Sequence, residues 1–270
     1  LVPYLFPKAG PLRYQAVLTL ARSSDGVIVT NPRDEERLSI EKSVAYLRHI
    51  PIGSNIRPSP PAGYNREVWR AALGFQPGDI IVGYFGFLNA SKGVETLLQS
   101  VRIARNNGLP VKLLMIGGRT GTSDPANIIY ARDVDQMVEE LDLLDHINWT
   151  GFVDDSAVSG HLMAADMIAL PYRDGVSFRR GSLMAALAHG CAIITTHPEV
   201  DMPDLVEDVH VRMIAPDSPT ALALAIEDLA GNEGLRVKMG ENARALAANF
   251  TWDNIALRTA AFYEELCRQR

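Results

Sequence analysis

PYRDGVSFRRGSLMAALAHGCAIITT, residues 171–196, joins two buried strands through a polar loop and one apolar helix. Residues 167–170 read as the end of the first strand, Asp174 and Gly175 as the loop, a helix as starting near Arg180, and residues 192–195 as the second strand. Leu183, Met184, Ala186 and Leu187 cover most turns of the helix, and Gly190 is a natural C-terminal stop. Polar and basic residues gather where a buried strand gives way to a helix, which is where open α/β sheets hold their ligands. The free N–H groups of the first turn, around Arg180, Gly181 and Ser182, stand beside the guanidinium groups of Arg179 and Arg180. Together they make an anion site suited to phosphate, and the expectation is a diphosphate. The ordinary alternative for two arginines in a loop is a solvated face.

Composition bounds the rest. The chain has 270 residues, 47% hydrophobic and 21% charged, which suits one large or two medium globular domains. A net charge of -6 leaves no basic excess to neutralise a nucleic-acid backbone. Cys191 and Cys267 lie far apart without disulfide or zinc spacing, so a reducing cytoplasm is the natural setting. No apolar run approaches the roughly 20 residues of a membrane span, and no secretory signal opens the chain. The first residue is Leu1 rather than methionine, and the expectation is a fragment of a longer protein.

Outward from the central helix, strand and helix patterns alternate. The spacing predicts a helix over 12–24, a strand over 26–30, a helix over 32–39 and a strand over 47–50, the last units of an upstream α/β domain. The proline-dense stretch PIGSNIRPSPP, residues 51–61, marks a domain boundary. After it come a helix (65–73), a strand (80–85), the loop GFLNASKG (86–93), a helix (94–106), a strand (111–116) ending in Gly117 and Gly118, and a helix (131–141). A strand (146–149) leads into TGFVDD, where Asp154 or Asp155 caps a helix running to residue 164. Past the central helix a turn of helix is expected near Pro203, then a strand over 210–214 and a helix opened by Ser218 and Pro219. Two amphipathic helices, 234–248 and 252–269, close the chain. The last is apolar enough to bridge two domains, with packing in its own domain as the alternative. Alternating strands and helices mean right-handed crossovers and a doubly wound parallel sheet. The domain scheme is 1–50, the end of an incomplete N-terminal domain; 51–64, linker; 65–250, ligand-binding domain; and 251–270, a helix packing back toward the N-terminal domain.

Six segments taken together, GFLNASKG, the strand ending in IGG, WTGFVDD, the helix after SFRRGS, ALAHG with CAIITT, and NFTWDNIA, resemble the donor-binding domain of family 4 glycosyltransferases, enzymes of GT-B architecture. The resemblance covers residues 50–270, and residues 1–50 are similar to the tail of the acceptor-side domain. It implies a hexosyltransferase that moves a sugar from a UDP-, GDP- or ADP-sugar to a glycan or lipid-linked acceptor, with retention and without a metal or other cofactor. It further implies a cytoplasmic protein, at the inner face of the membrane where the missing domain makes a peripheral contact. The isolated fragment is expected to bind donor but turn over poorly. A noncatalytic nucleotide-sugar-binding module is the alternative, and a sugar-nucleotide epimerase of the same architecture a weaker third.

Residue by residue, the family's lysine and glycine after the first strand match Lys92 and Gly93, while its arginine falls near Phe87, which is not basic. Arg179 or Arg180 would then supply the missing cation. The nucleobase slot corresponds to Thr150, Gly151, Phe152 and Val153. Two glutamates separated by seven residues correspond to Ser177 and Ala185, so both carboxylates are missing, and Asp174 stands in for the first. The resemblance therefore assigns Asp174, Lys92 and Arg180 to the chemistry and Asn89, Gly118, Phe152, Val153, Ser177, Arg179, Gly181, Ser182 and Leu183 to donor binding. No metal ligands are assigned. Fixed donors around the leaving phosphate stabilise the charge that builds there. His161 reads as structural, His189 as a charged cap at its helix end, His197 and Glu199 as candidates for donor or acceptor contact, and Asp124 as loop.

Overall fold

The computed structural model of the chain describes residues 10–41, 44, 46–119 and 125–268. They fall into two compact units: residues up to Gly53 together with those from Phe250 onward, and Ser54–Asn249. In the smaller unit α1 (Gly10–Arg22) precedes β1 (Val27–Val29), and α2 (Pro32–Ser39) connects β1 to the parallel strand β2 (Leu47–His49). Asn31 caps α2 by accepting the Asp34 N–H at 2.9 Å, and Pro32 occupies the first helical position, where its missing N–H costs no bond. Leu18, Val29 and Leu38 form the core of this unit.

The larger unit runs through α3 (Arg66–Ala72), β3 (Ile80–Phe85), α4 (Val94–Asn106), β4 (Val111–Ile116), α5 (Pro125–Glu140), β5 (Ile147–Trp149), α6 (Asp155–Ala164) and β6 (Met167–Leu170). It continues through α7 (Gly181–His189), β7 (Ile193–Thr196), β8 (Arg212–Ile214), α8 (Pro219–Gly231) and α9 (Glu233–Ala247). Among the described residues its sheet has six strands, all pairs parallel, in the order β5-β4-β3-β6-β7-β8. Every residue of β6 and β7 is buried. Successive strand residues face opposite sides, so the sheet is covered on both faces, as the continuous apolar runs required. The chain winds outward from β3 to β5 and then restarts beside β3 at β6, so the order reverses between β3 and β6. A crevice opens at such a point outside the carboxyl ends of the strands.

At the opposite end of the sheet the charges are structural. Asp166, just before β6, accepts the Ile81 N–H at 2.7 Å and pairs with Arg66 at 2.6 Å and Arg70 at 3.1 Å. Burial pushes its carboxyl up, but these hydrogen bonds outweigh burial and hold it below the ordinary aspartate value. Arg66 also donates to the Met163 carbonyl of α6, Arg244 to the His189 carbonyl of α7, and Arg236 to the Ala230 carbonyl of α8. Each guanidinium thereby satisfies a carbonyl that a helix end leaves without a partner.

α10 (Trp252–Arg268) belongs to the smaller unit, with Ile255 and Phe262 buried. Arg48 of β2 pairs with Glu265 at 2.7 Å and lies 5.5 Å over the Phe262 ring, and Arg258 donates to the His49 carbonyl. No helix among the described residues is long and apolar enough to cross a membrane.

Some expected bounds shift. α5 starts at Pro125 rather than near 131, because proline fits the first turn of a helix, where N–H groups have no partner anyway. The residues near Pro203 form a turn closed by Leu205 N–H on the Met202 carbonyl, not a helix. β8 begins at Arg212 because His210 belongs to the preceding turn, where its Nδ1 accepts the Val206 N–H at 3.0 Å. Asp154, not Asp155, caps α6, accepting the Ala157 N–H at 2.8 Å.

Candidate functional site

The carboxyl ends of β3 and β6 carry the two loops that the sequence singled out. After β3, Asn89 accepts the Ser91 N–H at 2.9 Å and starts a single turn of 3-10 helix, Ala90–Lys92. Gly93 then turns left-handed with φ 65°, and a Cβ there would stand 2.0 Å from the Pro171 carbonyl oxygen. Only glycine lets the two loops approach so closely. The Arg173 N–H donates to the Ser91 carbonyl at 2.9 Å, which stitches them together. Lys92 folds back over Gly86, where an added Cβ would meet Nζ at 2.5 Å. Its ammonium is pushed down to about 8, first by burial and then by the charge of Arg180. The tertiary fold thus lets Lys92 feel the charge of Arg180, a residue far from it in sequence.

Arg180 is the N-cap residue of α7 and makes no side-chain cap bond there. Its guanidinium pairs with Asp174 and lies 4.6 Å from the ring centroid of Tyr172. The Tyr172 hydroxyl is 2.7 Å from Ser182 Oγ. Gly181 is exposed and a Cβ there would meet open space, so the start of α7 is accessible. Ser182 is buried, Arg179 is exposed, and Ser177 is half-buried with its carbonyl accepting the Arg180 N–H at 3.0 Å. The Leu183 side chain is fully buried, and the Leu183 N–H favours ionisation of the Tyr172 hydroxyl, so that N–H is directed at tyrosine. Burial outweighs this and pushes Tyr172 up to about 12, so it stays a neutral phenol.

On the other side of β3, the Gly117 N–H donates to Thr150 Oγ1 at 3.0 Å, and Gly117 bridges Gly151. This sets half-buried Gly118 next to the 150–153 turn, in which Phe152 is 86% exposed and Val153 half-buried. A side chain so exposed takes little part in the core. Arg119, which no sequence argument singled out, stacks 4.2 Å from the Trp149 ring centroid and pairs with Asp135. Asn89 reaches Asn127 at 3.3 Å.

His161 accepts the Trp69 indole N–H at 3.1 Å and is structural. His189 departs from the expected charged cap. It is buried between the Ala185 carbonyl and Ser159 Oγ, and burial lowers its pKa, so it is neutral there while Arg244 takes its carbonyl. His197 and Glu199 are exposed just past β7. Asp124 lies outside the described residues. Among those residues no group of three or more His, Cys, Asp or Glu could hold a metal ion.

Residues 65–246 match the family model described as glycosyl transferases group 1. The chain belongs to that family. Among curated relatives, the D-inositol 3-phosphate glycosyltransferase of Corynebacterium urealyticum is 26% identical over 248 residues, 89% of this chain and 57% of that protein. The same enzyme of Jonesia denitrificans is 28% identical over 214 residues, 76% of this chain and 48% of that protein. The chain therefore spans about half the length of the curated relatives it matches. Of solved structures, HepE from Anabaena, in complex with UDP and glucose, superposes with a TM-score of 0.78 at 18% identity over 93% of this chain and 66% of its own. Sucrose-phosphate synthase from Thermosynechococcus elongatus gives 0.77 at 24% identity over 98% of this chain and 64% of its own. These likenesses carry the fold, an α/β unit with a six-stranded parallel sheet and a small two-stranded one, as in GT-B glycosyltransferases. Ser177 is half-buried and Ala185 is fully buried inside α7.

Proposed function

We propose that the larger unit binds a nucleotide-sugar donor and that the protein transfers its sugar, with retention and without a metal, to a glycan or lipid-linked acceptor. The observation that carries this reading is the close approach of the loop that holds Lys92 to the loop that leads to Arg180, through Gly93 against Pro171 and the Arg173 N–H on the Ser91 carbonyl, at the point where the strand order reverses. Burial and the charge of Arg180 both disfavour the Lys92 ammonium, and a diphosphate is a ligand that offsets both. In this reading the diphosphate lies between Lys92, Arg180 and the first N–H groups of α7, and Asn89 and Arg179 border it. The base lies toward Gly118, Phe152 and Val153, beyond β4. β5 and β6 are three strand intervals apart, about 14 Å at ~4.8 Å each, which an extended nucleotide has to cross. Negative charge grows on the departing phosphate during transfer, and preorganised cations and N–H groups stabilise it. Asp174, with Ser177 beside it, faces the sugar.

A second reading, a nucleotide-sugar-binding module without turnover, is favoured by Ser177 and Ala185, because neither supplies the carboxylate that the family places there. Calorimetry with UDP, GDP, ADP and TDP and their sugar conjugates, UDP-glucose included because HepE holds UDP and glucose, tests both. Arg180→Ala is expected to weaken binding by ~1–3 kcal/mol, and Lys92→Ala to weaken it as well. Binding unchanged in both variants would refute the diphosphate placement. Donor cleavage by the full-length protein separates the enzyme from the module.

A further inference from the structure

We propose that Tyr172 is the positioning residue of this site: its ring holds the Arg180 guanidinium in the plane and place where the diphosphate takes it up. The inference rests on the donor reading above and adds a residue that neither the sequence motifs nor the family likeness singled out.

Tyr172 is the second residue past β6, at the point where the strand order reverses, and is 1% exposed. Its backbone is fixed at both ends: its N–H donates to the Leu170 carbonyl at 2.9 Å, and its carbonyl accepts from Thr196 Oγ1 of β7 at 2.8 Å. The hydroxyl is anchored on Ser182 in the first turn of α7, so the ring cannot turn without moving the helix start. Arg180 lies over the ring, with its guanidinium carbon 4.6 Å from the centroid.

An arginine free in a loop has many rotamers, and ordering them on binding costs affinity. Stacking on a ring that is itself immobile removes most of that cost before the ligand arrives. Arg180 pairs with Asp174, whose side chain is 52% exposed, against 22% for Arg180. Asp174 is thus a rim carboxylate that a phosphate can displace, while the buried ring contact persists. Planarity matters here. A guanidinium stacks flat on an aromatic face while presenting its edge to a phosphate, and an ammonium does not.

The test uses the protein with whichever of UDP, GDP, ADP or TDP it binds most tightly, and a double-mutant cycle. Tyr172→Leu is expected to lower affinity about five- to thirtyfold, and Tyr172→Phe, which keeps the ring, to recover most of it. In the Arg180→Ala background, Tyr172→Leu is expected to cost no more than about twofold, because nothing remains for the ring to position. Arg180→Lys leaves Tyr172 intact and reads the same contact should Tyr172→Leu fold poorly. It is expected to lose at least about fivefold, since the charge stays but the stack does not. Equal losses from Tyr172→Leu in both backgrounds, or full affinity in Arg180→Lys, would overturn the proposal while leaving the donor site standing. Absence of any nucleoside diphosphate binding by the unmodified protein would overturn both.

Discussion

Lys92 is the residue whose behaviour in solution most directly reports the site. In the free protein its ammonium is lowered to about 8 by burial and by Arg180. In the proposed donor site a bound diphosphate would supply negative charge beside it and return it toward or above its ordinary 10.5. Binding above pH 8 therefore takes up a proton. With these two values the free site is mostly charged at pH 7 and about 90% neutral at pH 9, so donor affinity is expected to fall about tenfold between them, ~1.4 kcal/mol. About 0.9 proton is taken up per donor bound at pH 9. A nucleotide sugar suits the assay because its diphosphate does not titrate in this range. Calorimetry at pH 9 in two buffers of different ionisation enthalpy reads the proton count, and a pH series reads the affinity. Lys92→Met should bind more weakly at pH 7 and show little further change up to pH 9. Affinity that is flat from pH 7 to 9, with no proton exchanged by the unmodified protein, would refute the placement of the diphosphate against Lys92.

Other expectations follow from single contacts. Asp174→Asn removes the carboxylate paired with Arg180, so nucleoside diphosphates should bind at least as tightly as before while sugar conjugates lose their advantage over them; competition titrations compare the two ratios. Gly93→Ala forces a side chain at φ 65° and against the Pro171 oxygen, which should cost at least ~1–3 kcal/mol of stability, seen as a lower Tm. Asp166→Ala leaves Arg70 buried without its partner and is expected to cost ~3–5 kcal/mol in denaturant unfolding. Because the Asp166 pKa is depressed in the folded state, its contribution is complete above the ordinary value of 3.8. It is lost as pH falls through the lower folded value, so acid unfolding of the unmodified protein should steepen there.

Much of the proposed site is legible along the chain because its parts follow strand ends. Lys92 and Gly93 sit in a short polar loop after an apolar run, and Asp174 to Ser182 sit between another such run and an apolar helix. What escaped was the tyrosine. Tyr172 beside a strand end reads as core, and only its neighbours in space, Arg180 and Ser182, give it a further part. Arg119 escaped in the same way, since its stacking on Trp149 joins residues that no periodicity connects. His189 was misread for the opposite reason. A histidine at a helix end suggests a charge stabilised by the dipole, but burial between Ala185 and Ser159 makes the neutral ring the stable form.

By itself the sequence determined the strands and helices of this protein, because hydrophobic period, caps and turn residues are local properties that each segment carries with it. It determined the parallel sheet as well, since a strand, helix, strand succession leaves right-handed crossovers as the way to bury both faces. Only the tertiary structure decided which loops meet. The order β5-β4-β3-β6-β7-β8 sets β3 beside β6, and with it Lys92 near Arg180, Arg180 on Tyr172, and Asp174 at the rim. Charge interaction and burial depend on distance in space, and so the lowered pKa of Lys92, on which the pH prediction depends, is a property of the fold rather than of any stretch of the chain.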